Sequence, residues 1–136
     1  MSTVRELVDA VVETITNATG LQGYNHIPES VSTEAFVVSP RSVEVVTFAL
    51  GEVEITLDCA VLIPSSDAQS AQMSAYDYMA ITGMKSITKA VYDNQSFGLT
   101  DTSSGVQRMR LFSMDEIAAY HYYGVMHEIL VVTRGA

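Results

Sequence analysis

Three histidines, a row of acids and a pair of arginines are the residues from which a site could be built. His121 and His127 stand six apart and share a face if their strand is regular, a geometry that suits two metal ligands. A bulge at Gly124 would break that alignment, and no cysteine lies beside them, so no metal site is expected. His26, just before Ile27-Pro28, reads as a surface or turn residue. Glu52, Glu54 and Asp58 line one face of an alternating segment. Paired carboxylates can run acid–base chemistry or hold a hard cation, but on an alternating strand they read as its solvated face. Arg108 and Arg110, at i and i+2, share a strand face. A solvated face is favoured there over a phosphate cradle, and an intersubunit ion pair is the third reading. Tyr120, Tyr122 and Tyr123 fit either strand filling or an interface patch. The one cysteine, Cys59, reads as an inert core thiol. No P-loop, GxGxxG, HExxH, CxxC or GxSxG pattern occurs. The chain is therefore expected to have no catalytic, cofactor-binding or metal-binding residues and not to be an enzyme.

The element that must position most of these groups is residues 53–63, VEITLDCAVLI. Val53, Ile55, Leu57, Cys59, Val61 and Ile63 take every second place, with Glu54, Thr56 and Asp58 between them: the period of a strand with one buried face. Ala60 and Leu62 are apolar too, so the strand is expected to run into a covered sheet centre. Before it, Val4, Leu7, Val8, Val11, Val12 and Ile15 mark an amphipathic helix over 3–19, stopped by Gly20. Short strands are expected at 21–27 and at 35–39, closed by Pro40. The stretch 43–48 then turns at Ala49-Leu50-Gly51 into the long strand as a β-hairpin. A two-residue loop sets Val46 and Phe48 beside Ile55 and Val53. A three-residue loop sets Val43 and Val45 beside Leu57 and Ile55. After Pro64, Ser66 and Gln69 have capping-box spacing for a helix to about residue 80. Its inner stripe is Ala68, Ala71, Ala75, Tyr78 and Met79. A second short helix carries Met84, Ile87 and Val91. Residues 106–113 and 118–133 close the chain as two strands, with Asp115-Glu116 in their turn. The order is α-β-β-β-β-α-α-β-β: a single α+β domain over 1–136, with a mixed or antiparallel sheet and helices on one face.

The 136 residues suffice for one core, and a hydrophobic content of 48% marks a globular chain. No apolar run approaches membrane-spanning length, and the N-terminus lacks a signal-peptide core. The single cysteine rules out an internal disulfide and fits a reducing compartment. Sixteen acids against seven bases give a net charge of −9. That argues against general nucleic-acid affinity, which needs a positive footprint, but not against a surface that nucleic acid slides past.

The sequence also carries a resemblance. A helix ends in Thr19-Gly20-Leu21; Tyr24 and Ile27-Pro28-Glu29-Ser30 follow; Ala35-Phe36-Val37-Val38 is closed by Pro40. Then come Thr47-Phe48, a turn at Gly51, and the long strand leading through Ser65-Ser66-Asp67 into a helix. Over residues 4–93 this order and spacing resembles the tail terminator proteins of long-tailed, non-contractile (siphovirus-type) bacteriophages. Thr33-Glu34 stand where that family often has proline. The resemblance implies a structural virion protein that forms a closed ring, a hexamer. The ring would cap the tail tube, stop its polymerisation and meet the head–tail connector. Its partners would be copies of itself, the tail-tube protein and connector proteins, with DNA passing through the lumen unbound. It would sit in the virion tail, assembled in the bacterial cytoplasm, with no cofactor and no membrane. A head–neck completion protein or a tail-tube subunit are the nearest alternatives. A small-molecule-binding or enzymatic domain using Tyr24, His26 and the hairpin acids is the more distant one. Phe48 and Leu50 are large and apolar beside a turn, where chains are normally polar. With Arg108, Arg110, Tyr122 and Tyr123 they are the candidate interface residues.

Overall fold

The computed structural model describes residues 4–26, 28, 33–45, 52–64, 68–117 and 120–134, without the side chains of 68, 113–117 and 120–122. It is an α+β fold: three helices lie against a five-stranded mixed sheet. Helix α1 (Val4–Thr19) buries Leu7, Val8, Val11 and Ile15, the expected stripe. It ends where Gly20 takes φ +76°, a conformation open to glycine, with its N–H on the Thr16 carbonyl at 2.8 Å. Strand β1 (Gln22–Tyr24) is shorter than expected and pairs in parallel with the start of β2.

Strand β2 (Ala35–Val45) joins what the sequence suggested were two strands. Pro40 does not end it. β1 pairs only with residues 35–37, so among the described residues β2 has no outer neighbour beyond them, and the ladder shifts by one residue between Pro40 and Ser42. Edges and bulges are the places where a strand tolerates proline. Val43 pairs with Ile55 and Val45 with Val53, so neither short-loop register occurs: the connection is residues 46–51. Phe48 and Leu50 fall there, outside the described residues.

Strand β3 (Glu52–Pro64) lies between β2 and β5 along its length. Ile55, Leu57, Cys59, Val61 and Ile63 are buried and share a core with all three helices. On the opposite face Ala60 and Leu62 join Ala35 and Val37 in a second, smaller cluster. The sheet order is β1-β2-β3-β5-β4.

Helix α2 (Ala68–Tyr78) packs through Ala71, Ala75 and Tyr78. Helix α3 (Ile87–Asp93) starts later than Met84, because Ser86 caps it by accepting from Lys89 N–H at 3.0 Å. Met84 is left 79% exposed. Strands β4 (Thr102–Ile117) and β5 (Tyr120–Arg134) form a hairpin longer than expected. Asp115 and Glu116 fall inside β4, where the ladder shifts between Met114 and Ile117, rather than in the turn. Gly124 is not a bulge. It pairs regularly with Leu62 and Phe112, and a Cβ there would stand 1.8 Å from the Val61 carbonyl oxygen. Close approach of neighbouring backbone is what requires glycine.

Leu57 is fully buried at the middle of β3. Leu57→Ala is expected to lower stability by ~2–5 kcal/mol in urea denaturation; a loss near zero would show that β3 does not anchor the core.

Candidate functional site

The alternation of β3 sends its even positions to the face away from the helices, and there the ionisable groups meet. Asp58 lies opposite Glu128 of β5, and Glu128 opposite Arg108 of β4. The bulge in β2 delivers the fourth member, Arg41. Its Nε and Nη2 donate to both oxygens of Asp58, at 3.1 and 2.5 Å, and its Nη1 donates to Glu128 Oε1. Arg108 Nε donates to the other Glu128 oxygen. Two guanidinium groups and two carboxylates thus form a neutral row across four strands. The Glu128 side chain is only 7% exposed, against 20% for Asp58 and 40% for Arg41. Hydrogen bonds from Arg108 and then Arg41 hold its carboxyl down at about 2, and the same contacts raise both arginines.

This row clamps strands together; it has no free acid or base. Glu52 pairs with Arg134 Nε at 3.2 Å at the end of the same face, and Glu54 lies between them with Glu44 and Val132 in register. The hairpin acids therefore do not converge. Arg108 and Arg110 do share the face, but Arg108 pairs with Glu128 of its own chain. Arg110 lies exposed opposite Met126, with no ion pair among the described residues. Tyr123 is half-buried against the core. The side chains of Tyr120, Tyr122 and His121 lie outside the described residues.

His127 is fully buried on the helix side. Its Nε2 lies 3.3 Å from the Tyr78 carbonyl, an acceptor only, so Nε2 carries the proton. Among the described residues Nδ1 has no hydrogen-bond partner, and burial lowers the ring's pKa. Cys59 is fully buried and its thiol is pushed well above the ordinary range by desolvation. His26 is exposed, its Nδ1 2.8 Å from Asn25 Oδ1. With Tyr24 it edges a hollow of about 400 Å³ between α1 and β1, beside Asp9 and Glu13. Glu52, Glu54 and Asp58 of the hairpin are not among its described lining residues. Among the described residues no three His, Cys, Asp or Glu side chains could hold a metal, and no helix is long and apolar enough to cross a membrane.

Two contacts had no sequence signal. The Tyr78 hydroxyl donates to Glu34, 44 residues away, with Lys85 Nζ 5.3 Å from its ring centroid. Arg41 and Glu128 are 87 residues apart. A shallow groove of about 220 Å³ is lined by Gln72 and Ala75 of α2 and by Leu111, Phe112, Tyr123 and Gly124. Compared with known proteins, the chain matches no family model, and no curated protein matches it significantly.

Two pH limbs follow. The Glu128 carboxyl is held below its unfolded value of about 4.3. Its contribution is complete above that pH and is lost as pH falls towards about 2. Glu128→Gln is expected to destabilise the protein at pH 7 and to flatten the stability profile below about pH 4.3. His127 is held below its unfolded value of about 6.5, so it begins to cost stability as pH falls through that value. His127→Leu is expected to remove the slope between about pH 6.5 and 5. Urea denaturation across pH checks both; unchanged slopes would show that other groups govern acid sensitivity.

Proposed function

We propose that the chain is a tail terminator of a non-contractile phage tail. The observation that carries this reading is the run of elements over residues 4–93. Helix α1 stops at Gly20, β2 carries Pro40, and β3 leads into α2, in the order on which the resemblance rests. The chemistry of the sheet supports it. The row at Arg41, Asp58, Glu128 and Arg108 is paired within the chain, leaving shape and contact as its means of action. In this role copies of the chain close into a ring, a hexamer in the resembling family. The ring seats on the finished tail tube, blocks further subunits and offers its other side to the head connector. A net charge of −9 suits a lumen through which DNA passes without binding, since like charges repel. The protein would reside in the virion tail after assembly in the host cytoplasm, acting without cofactor or reaction.

A head–neck completion protein and a tail-tube subunit are the nearest alternatives, and assembly separates them. A tube subunit adds to an open end repeatedly, whereas a terminator stops at a closed ring. Negative-stain imaging at high protein concentration is expected to show closed rings, and tails assembled without the protein are expected to run past their normal length. Long tubes of the protein alone would make it a tube subunit. Single particles at every concentration, with and without tail tubes, would remove the terminator reading.

A further inference from the structure

The last turn of α2 is closed by a side chain from the sheet. Where a helix ends, its final carbonyls lose their partners. Those of Tyr76 and Asp77 accept from the Met79 and Ala80 N–H groups at 3.1 and 3.4 Å, tight turns that finish the helix. The Tyr78 carbonyl accepts instead from His127 Nε2, 3.3 Å away and 49 residues further along the chain. His127 is thus a cap on α2 supplied by β5. Its neighbours on the helix side of the sheet are apolar. Cys59 stands opposite it on β3 and Met109 on β4, with Val125 and Ile129 beside it on its own strand. Few ionisable groups face it. Burial keeps the Cys59 thiol neutral. The Tyr78 phenol donates to Glu34, and Lys85, 5.3 Å from the Tyr78 ring centroid, carries the same charge that His127 would gain. Among the described residues α1 and α3 bury only apolar side chains here. Asp58 and Glu128 lie on the opposite face, held by Arg41 and Arg108.

In neutral His127 the proton sits on Nε2 and serves the cap. A second proton goes to Nδ1, which has no hydrogen-bond partner among the described residues. A charged ring with an unmet N–H inside the core is costly, and the cost is relieved when water reaches it. The sheet cannot admit water there without breaking the ladders on both sides of β5. The end of α2 can. Beyond Tyr78 the chain runs through residues 79–85 to Ser86, the cap of α3. Ile81 and Met84 on that run are 69% and 79% exposed, and Gly83 takes φ +95°. Its described backbone bonds are local: Met79, Ala80 and Ser86 each donate three residues back. Local bonds and few buried side chains mark a segment that opens at low cost. We infer that His127 is an acid-sensitive latch: neutral, it holds the end of α2 on the sheet, and charged, it releases the last turn of α2 and the connection 79–85 while the sheet stays folded. The latch is a property of the single chain and does not depend on the assembly proposed above.

Cys59 reports on the latch. It is the chain's one cysteine, it is buried, and it pairs in register with His127. The folded full chain is labelled with dithiodipyridine, which reacts with thiols in acid, from about pH 7.5 down to about 5.5. Each rate is divided by that of the urea-unfolded chain at the same pH, which removes the thiol's own titration. The normalised rate is expected to rise by up to about tenfold across this range, as a ring exposed by opening titrates near its ordinary value. Its urea dependence at low pH is expected to be far weaker than that of global unfolding. Amide hydrogen exchange at Met79 and Ala80 is expected to speed up with it, relative to the unstructured chain, while the paired amides of β3 and β5 keep their protection. His127→Gln retains a donor for the Tyr78 carbonyl but takes no charge, and its labelling is expected not to change with pH. His127→Leu replaces it if the glutamine variant fails to fold. A normalised rate that does not rise in the native chain, an equal rise in the neutral variant, or a urea dependence matching global unfolding would overturn the inference.

Discussion

Strand β3 must be buried on its helix-facing side, and most other features answer to that constraint. Its odd positions from Ile55 to Ile63 leave almost no surface to water. Each large aliphatic side chain so placed contributes about 1.5–3 kcal/mol, and the alternation commits the even positions to the other face. Its neighbours must then match: Val125, His127, Ile129 and Val131 of β5 fall on the helix side, and Phe36 and Val38 of β2 with them. The helices supply the opposing apolar layer. Helix α1, rich in β-branched residues and a weak helix in isolation, depends on that sheet for its existence.

What the sequence makes legible is what depends on local period. The apolar alternation over 53–63, the stripe of α1 and the burial of Cys59 all follow from spacing alone, and so does the α+β class. What it conceals depends on neighbours far along the chain. Pro40 looks like a strand terminator until β1 proves too short to reach it. Asp115-Glu116 looks like a turn because its charges suggest water, yet the β4–β5 ladder absorbs the pair with a register shift. Gly124 suggests a bulge, but its reason is the Val61 carbonyl of another strand. Of the candidate site residues, the arginine pair on one face was readable from i, i+2 spacing. The partner of Arg108 was not, because Glu128 lies in an otherwise apolar run and its second ligand comes from 87 residues away.

The ion row also marks a border on the face of the sheet away from the helices. Towards α2, Ala35, Val37, Ala60 and Leu62 are buried with Tyr24, Phe112 and Met126 packed against them. Towards the other end, Ser42 and Glu44 are exposed. Glu128 sits where the surface changes from dry to wet, buried enough to need partners and close enough to the edge for Arg108 to remain 67% exposed. A carboxylate in such a place is tolerated only while its hydrogen bonds are complete.

That requirement gives the row a role in specificity. His127 and Glu128 are adjacent and point to opposite faces. A slip of β5 by one residue against β3 exchanges the faces of every side chain. Glu128 would then enter the helix-side core, at the level of Cys59 and away from both arginines, and Val125, Ile129 and Val131 would turn to water. An apolar strand by itself penalises such a slip only through lost burial. An acid beside a buried histidine adds the cost of an unpaired charge in the core. The paired arginines stabilise the correct register, and the same carboxylate works against the wrong one. Of the ionisable residues that first suggest chemistry in this sequence, Asp58 and Arg108 are thus accounted for by the alignment of four strands.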